Sequence, residues 1–75
     1  QQVNDWSASA ATYRQLIAVQ PGQGVWQLGL AIALEQLDQP AQAGRHYRLA
    51  LQGQGLDESA RRFASERAGS LGGTQ

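Results

Sequence analysis

Apolar residues in this chain recur at intervals of three and four in four successive blocks, and no block alternates with a period of two. A helix turns about 100° per residue, so this spacing predicts four helices and no strand. In the first block, about residues 5–19, Trp6, Ala10, Tyr13 and Ile17 share a face with Leu16 beside them. Asp5 stands where an N-cap carboxylate can accept an orphan backbone N–H. Gln1–Asn4 ahead of it reads as a frayed lead-in. Pro21-Gly22 closes the block, since Pro disfavours helix at the residue before it and Gly supplies turn conformations.

The second block, about residues 23–38, contains Val25-Trp-Gln-Leu-Gly-Leu-Ala-Ile-Ala-Leu-Glu-Gln-Leu37, the most apolar run of the chain. Trp26, Leu30, Ala33, Leu34 and Leu37 form one stripe, and Val25, Leu28 and Ile32 form a second on nearly the opposite side. One stripe seats a helix on a core. Two stripes imply a helix packed on both sides, or packed on one side and open to a partner on the other. Gly29 inside this run costs about 1 kcal/mol against Ala, which marks it as a close-packing position.

The third block, about residues 40–53, places Pro40 at the first helical position, where its missing N–H costs nothing. Ala43, Tyr47, Ala50 and Leu51 share its face. The connection back to the second helix is only about two residues, which forces antiparallel neighbours. In the fourth block, about residues 57–71, Asp57 is the N-cap and Glu58 suits the positive end of the helix dipole. Ala60, Phe63, Ala64 and Leu71 make its inner face, and Gly72-Gly73 closes it. The expected fold is all-α, one small domain of four antiparallel helices.

The chain also matches itself at an offset of 34: Tyr13-Arg14 recurs as Tyr47-Arg48. At the same offset Ser9 meets Ala43, Ile17 meets Leu51, Gln20 meets Gln54 and Leu37 meets Leu71. Such a period, with two helices in each, resembles the tetratricopeptide repeat. One whole repeat would span about Gly24 to Asp57, with Leu30 and Leu34 at the large positions of its first helix. Ala43, Tyr47 and Ala50 then hold the small, aromatic and second small positions of its second helix. Asn4-Asp5-Trp6 looks like the turn of a preceding repeat, whose small, aromatic and terminal proline positions fall on Ser9, Tyr13 and Pro21. The chain departs from the pattern at Ala31 and Asp38, where Gly is usual, at Leu16, where Ala is usual, and at Gly55, which replaces a second terminal Pro. The resemblance implies paired helices stacked as a short right-handed solenoid, with the fourth helix as its cap.

The order Tyr13-x-x-Leu-Ile, Pro21-Gly, Trp26-x-Leu-Gly-Leu-Ala, Tyr47-Arg-x-Ala-Leu and Gly55-Leu, then a short Arg-rich helix, extends the likeness. It is similar to the C-terminal repeat region of MSHA-type pilus biogenesis proteins of Gram-negative bacteria. That resemblance implies a periplasmic or inner-membrane-anchored envelope protein; without it, a cytoplasmic one. Met is 0 and the chain opens on Gln1-Gln2 midway through a repeat, so a piece of a longer protein is expected.

Composition narrows the functional classes. Seventy-five residues bury only about 60% of their unfolded surface, so stability is marginal. With Cys 0, no disulfide or thiolate metal site assists. Formal net charge is +0 and all 6 basic residues are Arg, which argues against a nucleic-acid partner. No apolar run approaches the ~20 residues that cross a bilayer, so no direct membrane insertion is expected.

Among candidate sites, the Val25, Leu28, Ile32 stripe with Glu35 and Gln36 at its edge is the sharpest. The resemblance makes it a groove for an apolar or amphipathic protein segment, or a homodimer contact; otherwise a neighbouring helix covers it. Repeats that clamp a C-terminal carboxylate use Lys on this face, and the chain has none. The expected repeat core is Trp6, Tyr13, Ile17, Trp26, Leu30, Leu34, Leu37, Ala43, Tyr47, Ala50, Leu51 and Phe63. His46 falls outside the core stripe and reads as a solvated histidine; a lone imidazole is no metal site. Ser65, His46 and Asp38 can be named as a catalytic set, but nothing in their spacing joins them. Arg45, Arg48, Arg61, Arg62 and Arg67 read as a solvated helix surface. No enzyme activity and no cofactor is expected.

Overall fold

The computed structural model describes residues 5–72. Those residues form four α-helices: α1 (Trp6–Val19), α2 (Gly24–Gln36), α3 (Pro40–Gln52) and α4 (Glu58–Gly72). The fold is all-α, and extended pairing among the described residues is limited to one isolated parallel bridge, Gln23 with Gln54. The expected lead-in at Gln1–Asn4 and the closing Gly73 lie outside the described residues.

The helix starts follow from side-chain capping. Asp5 Oδ1 accepts the Ala8 N–H at 3.1 Å, and Asp57 Oδ1 accepts the Ala60 N–H at 2.8 Å. Each bond satisfies one of the donors that a helix start leaves free. Pro40 occupies the first turn of α3. The end of α2 differs from the apolar pattern, which ran on to Asp38. Asp38 takes φ +62°, the left-handed conformation, and the chain turns there instead. Asp tolerates this conformation better than most side chains, and it stands at the position where the tetratricopeptide pattern has Gly.

Each helix packs on the next in the chain: α1 on α2, α2 on α3 and α3 on α4. The loops between them are too short for anything but antiparallel neighbours. The fully buried residues are mostly small. Leu30, Ala31, Ala33 and Leu34 come from α2, Ala43, Tyr47 and Ala50 from α3, Ala64 and Ala68 from α4, and only Ala10 from α1. Alanines at the contacts let the helix axes approach closely, and Tyr47, Leu30 and Leu34 fill the remaining volume. Trp6, Tyr13, Ile17, Leu37 and Leu51 are half-buried against this cluster.

Two of the expected core residues differ. Phe63 is 41% exposed: its ring meets Tyr47 edge-on, with centroids 5.8 Å apart at 76°, and turns its far side to solvent. α4 packs mainly on α3. Trp26 is half-buried and lies outside the buried cluster.

The 34-residue offset reappears as contacts. The Tyr13 ring lies over Gly29, where an added Cβ would overlap it. Tyr47 meets Phe63, and both members of that pair stand one offset further along. The two loops at one end also pair: the Gly24 N–H donates to the Gln54 carbonyl at 2.8 Å, and the Gln54 N–H to the Gly22 carbonyl at 2.9 Å. A Cβ at Gly24 would come within 2.8 Å of the Ala50 carbonyl oxygen, so this helix start can approach α3 only as Gly.

Candidate functional site

The apolar edge of α2 is a ladder of three side chains one turn apart. Val25 is 49% exposed, and Leu28 and Ile32 are half-buried against the core cluster. Gln36 is exposed at the far end. The residues expected to line a groove therefore do not stand equally free. Val25 opens to solvent, while Leu28 and Ile32 divide their surface between solvent and the packed interior.

Glu35 is a correction to that expected groove edge. Its carboxylate accepts the Tyr47 hydroxyl at 2.8 Å and the Arg67 Nε–H at 3.3 Å, and Arg67 Nη2 donates to its other oxygen. The carboxylate thus joins α2 to α3 and α4 and accepts three hydrogen bonds inside the molecule. Burial pushes the Glu35 pKa up, but the bonds from Arg67 and Tyr47 and the Arg67 charge outweigh it and leave the pKa below the usual value. Burial, followed by the bond to Glu35, raises the Tyr47 hydroxyl well above the usual phenol. A neutral donor and a charged acceptor is the arrangement that makes this bond strong.

A second polar contact lies between α2 and α3. Gln27 is 6% exposed, and its Oε1 is 2.8 Å from His46 Nδ1. His46, expected in solvent, is half-buried. Burial first, then the charges of Arg45 and Arg14, hold its pKa below the ordinary histidine value. Sequence reading missed Gln27 because glutamine is polar. The available signal was its spacing: Gln27, Ala31 and Leu34 fall at helical intervals, and the last two are fully buried.

The remaining candidates are dispersed. His46 bonds to Gln27 rather than to a carboxylate, and Ser65 and Asp38 are exposed. Among the described residues no group of three His, Asp or Glu could hold a metal ion. No helix among them is long and apolar enough to cross a membrane. Arg62 pairs with Glu58 at 3.5 Å on the exposed face of α4, and Arg61 donates to the Leu51 carbonyl at 3.3 Å. A shallow hollow of about 340 Å³ at the paired loops is lined by Val19, Gln20, Pro21, Gly22, Gln23 and Gln54. It offers amides and backbone but no charged side chain.

No family model, curated protein or solved structure matches this chain.

Proposed function

We propose that this chain is a protein–protein interaction module of the tetratricopeptide kind, serving as a scaffold within a larger assembly. The observation that carries the reading is the return of one contact at the offset of 34: Tyr13 over Gly29, then Tyr47 against Phe63. The parallel pairing of the two equivalent loops supports it as well. A stack built this way extends by adding hairpins, and its use lies in the surface it presents. On this reading the open part of that surface is the α2 edge, led by Val25 with Leu28 and Ile32. It suits the apolar side of an amphipathic segment or of a second copy. The likeness to MSHA-type pilus biogenesis proteins directs the search for partners to the bacterial envelope and its pilus machinery.

Light scattering over a concentration series, with and without an amphipathic Leu/Gln-rich helical peptide, tests the proposal. The expected result is a dimer or a peptide complex that Val25→Asp weakens about tenfold, equivalent to about 1.4 kcal/mol, with helicity by circular dichroism unchanged. Val25 is the substitution of choice because half its surface is already in water. A chain that stays monomeric and ignores the peptide at every concentration would instead be a structural spacer without a groove.

A further inference from the structure

α4 gives up little side-chain surface to the fold. It is 15 residues long, and the side chains it buries fully are two alanines, Ala64 and Ala68. Phe63 meets Tyr47 edge-on and keeps 41% of its surface in water. Among the described residues, its side-chain bonds to other helices are those of Arg67 to Glu35 and of Arg61 to the Leu51 carbonyl. Little apolar area is lost when such a helix lifts away. Once detached, a helix of this length is marginal in water, and Gly69 inside it weakens it further, so a released α4 needs a surface to hold it.

The segment leading into α4 supplies a pivot. Gln54 is fixed to the α1–α2 loop by two backbone bonds, with Gly22 at 2.9 Å and Gly24 at 2.8 Å. Asp57 caps α4 through the Ala60 N–H. Between these two fixed points stands Gly55 at φ +93°, a residue free to take other conformations. Rotation at Gly55 therefore moves α4 as one capped unit while Gln54 and α1–α3 keep their contacts.

The place that α4 occupies is selective. Glu35 is half-buried, accepts the Tyr47 hydroxyl and takes its cation from Arg67. An occupant without a cation there would leave a partly desolvated carboxylate unpaired. Phe63, Ala64, Arg67 and Ala68 meet the need at helical spacing, and every copy of the chain carries them. With net charge +0, two copies are not held apart by mutual repulsion.

We infer that α4 exchanges between two copies of the chain, each setting its Arg67 against the Glu35 and Tyr47 of the other. The contacts made between copies are those made within one, so the exchange forfeits only the independent motion of two molecules. It uses none of Val25, Leu28 and Ile32, so it stands or falls apart from the α2 edge.

Charge reversal across the ion pair is the test. In Glu35→Arg two guanidinium groups would face each other, and in Arg67→Glu two carboxylates. A mixed exchanged dimer of the two variants restores an opposite pair at both sites. Equimolar variants unfolded together in urea and refolded should give a mixed dimer at least about tenfold above random pairing, read by native mass spectrometry. Val25→Asp added to both should leave that enrichment unchanged. Glu58→Arg mixed with Arg62→Glu makes the same charge changes on the exposed pair of α4 and should combine at random. Gly55→Ala keeps the Glu35–Arg67 pair but strains the closed turn. Light scattering should place its monomer–dimer equilibrium at about tenfold lower concentration than the parent's. The inference is overturned if no mixed dimer forms beyond random pairing, or if the exposed-pair control is enriched as strongly. It is also overturned if Val25→Asp removes the enrichment, or if Gly55→Ala leaves the equilibrium where the parent has it.

Discussion

Tyr47 carries two jobs in one side chain. Its ring is fully buried and meets Phe63, while its hydroxyl donates to Glu35. These can be separated. Tyr47→Phe keeps the ring and removes a bond to a charged acceptor, so it should cost about 1.5–3 kcal/mol in urea unfolding. Tyr47→Ala also opens a cavity and should cost at least about 3 kcal/mol. Equal costs for the two would mean that packing contributes little. The aromatic was legible in the sequence, since its spacing puts it on the inner face of α3. Its hydrogen bond was not, because Glu35 lies on another helix and looked like a solvent-facing edge residue. Gln27 and His46 escaped for the same reason: each is polar, and burial of either makes sense only once the other faces it.

At the scale of elements, caps and breakers were the readable signals. Asp5, Asp57, Pro21 and Pro40 act within a few residues of themselves, so the boundaries of α1, α3 and α4 lie close to those expected from pattern. The end of α2 was misplaced by two residues because Asp38 adopts φ +62°, which nothing in its side chain requires. Gly29 was legible as a packing position, and what approaches it is the Tyr13 ring. Gly29→Ala should therefore cost about 1–3 kcal/mol by overpacking the α1–α2 contact. Tyr13→Ala introduced into that variant should cost less than it does in the parent, a non-additivity that thermal unfolding of the four proteins measures. Strict additivity would show that the ring and the glycine do not meet.

For the molecule as a whole, the Glu35 carboxylate connects three of the four helices, which ties its protonation to global stability. The Glu35 pKa is lowered in the folded state, while an unfolded glutamate titrates near about 4.3. The folded state thus binds fewer protons as pH falls through this range. The contribution is fully present above about pH 4.3 and is lost as pH falls through the folded pKa. Urea midpoints at about pH 7 and about pH 3 should converge more in Glu35→Gln than in the parent, since that variant has no carboxylate to protonate. A parent and variant with parallel acid profiles would separate the carboxylate from the acid transition. α1 is outside this network and buries only Ala10 completely, so it is the least anchored of the four helices.

The sequence alone determined that the chain is helical, where the helices start, that neighbours run antiparallel, and that an offset of 34 repeats. Those properties depend on periodicity, capping and loop length, all of which act over a few residues or along one helix. Tertiary structure decided the rest. It turned Glu35 inward, buried Gln27 against His46, left the outer side of Phe63 in water and opened Val25 more than Leu28 or Ile32. Each of these depends on which face of one helix meets which face of another. That pairing is made across the chain, and no single stretch of residues contains it.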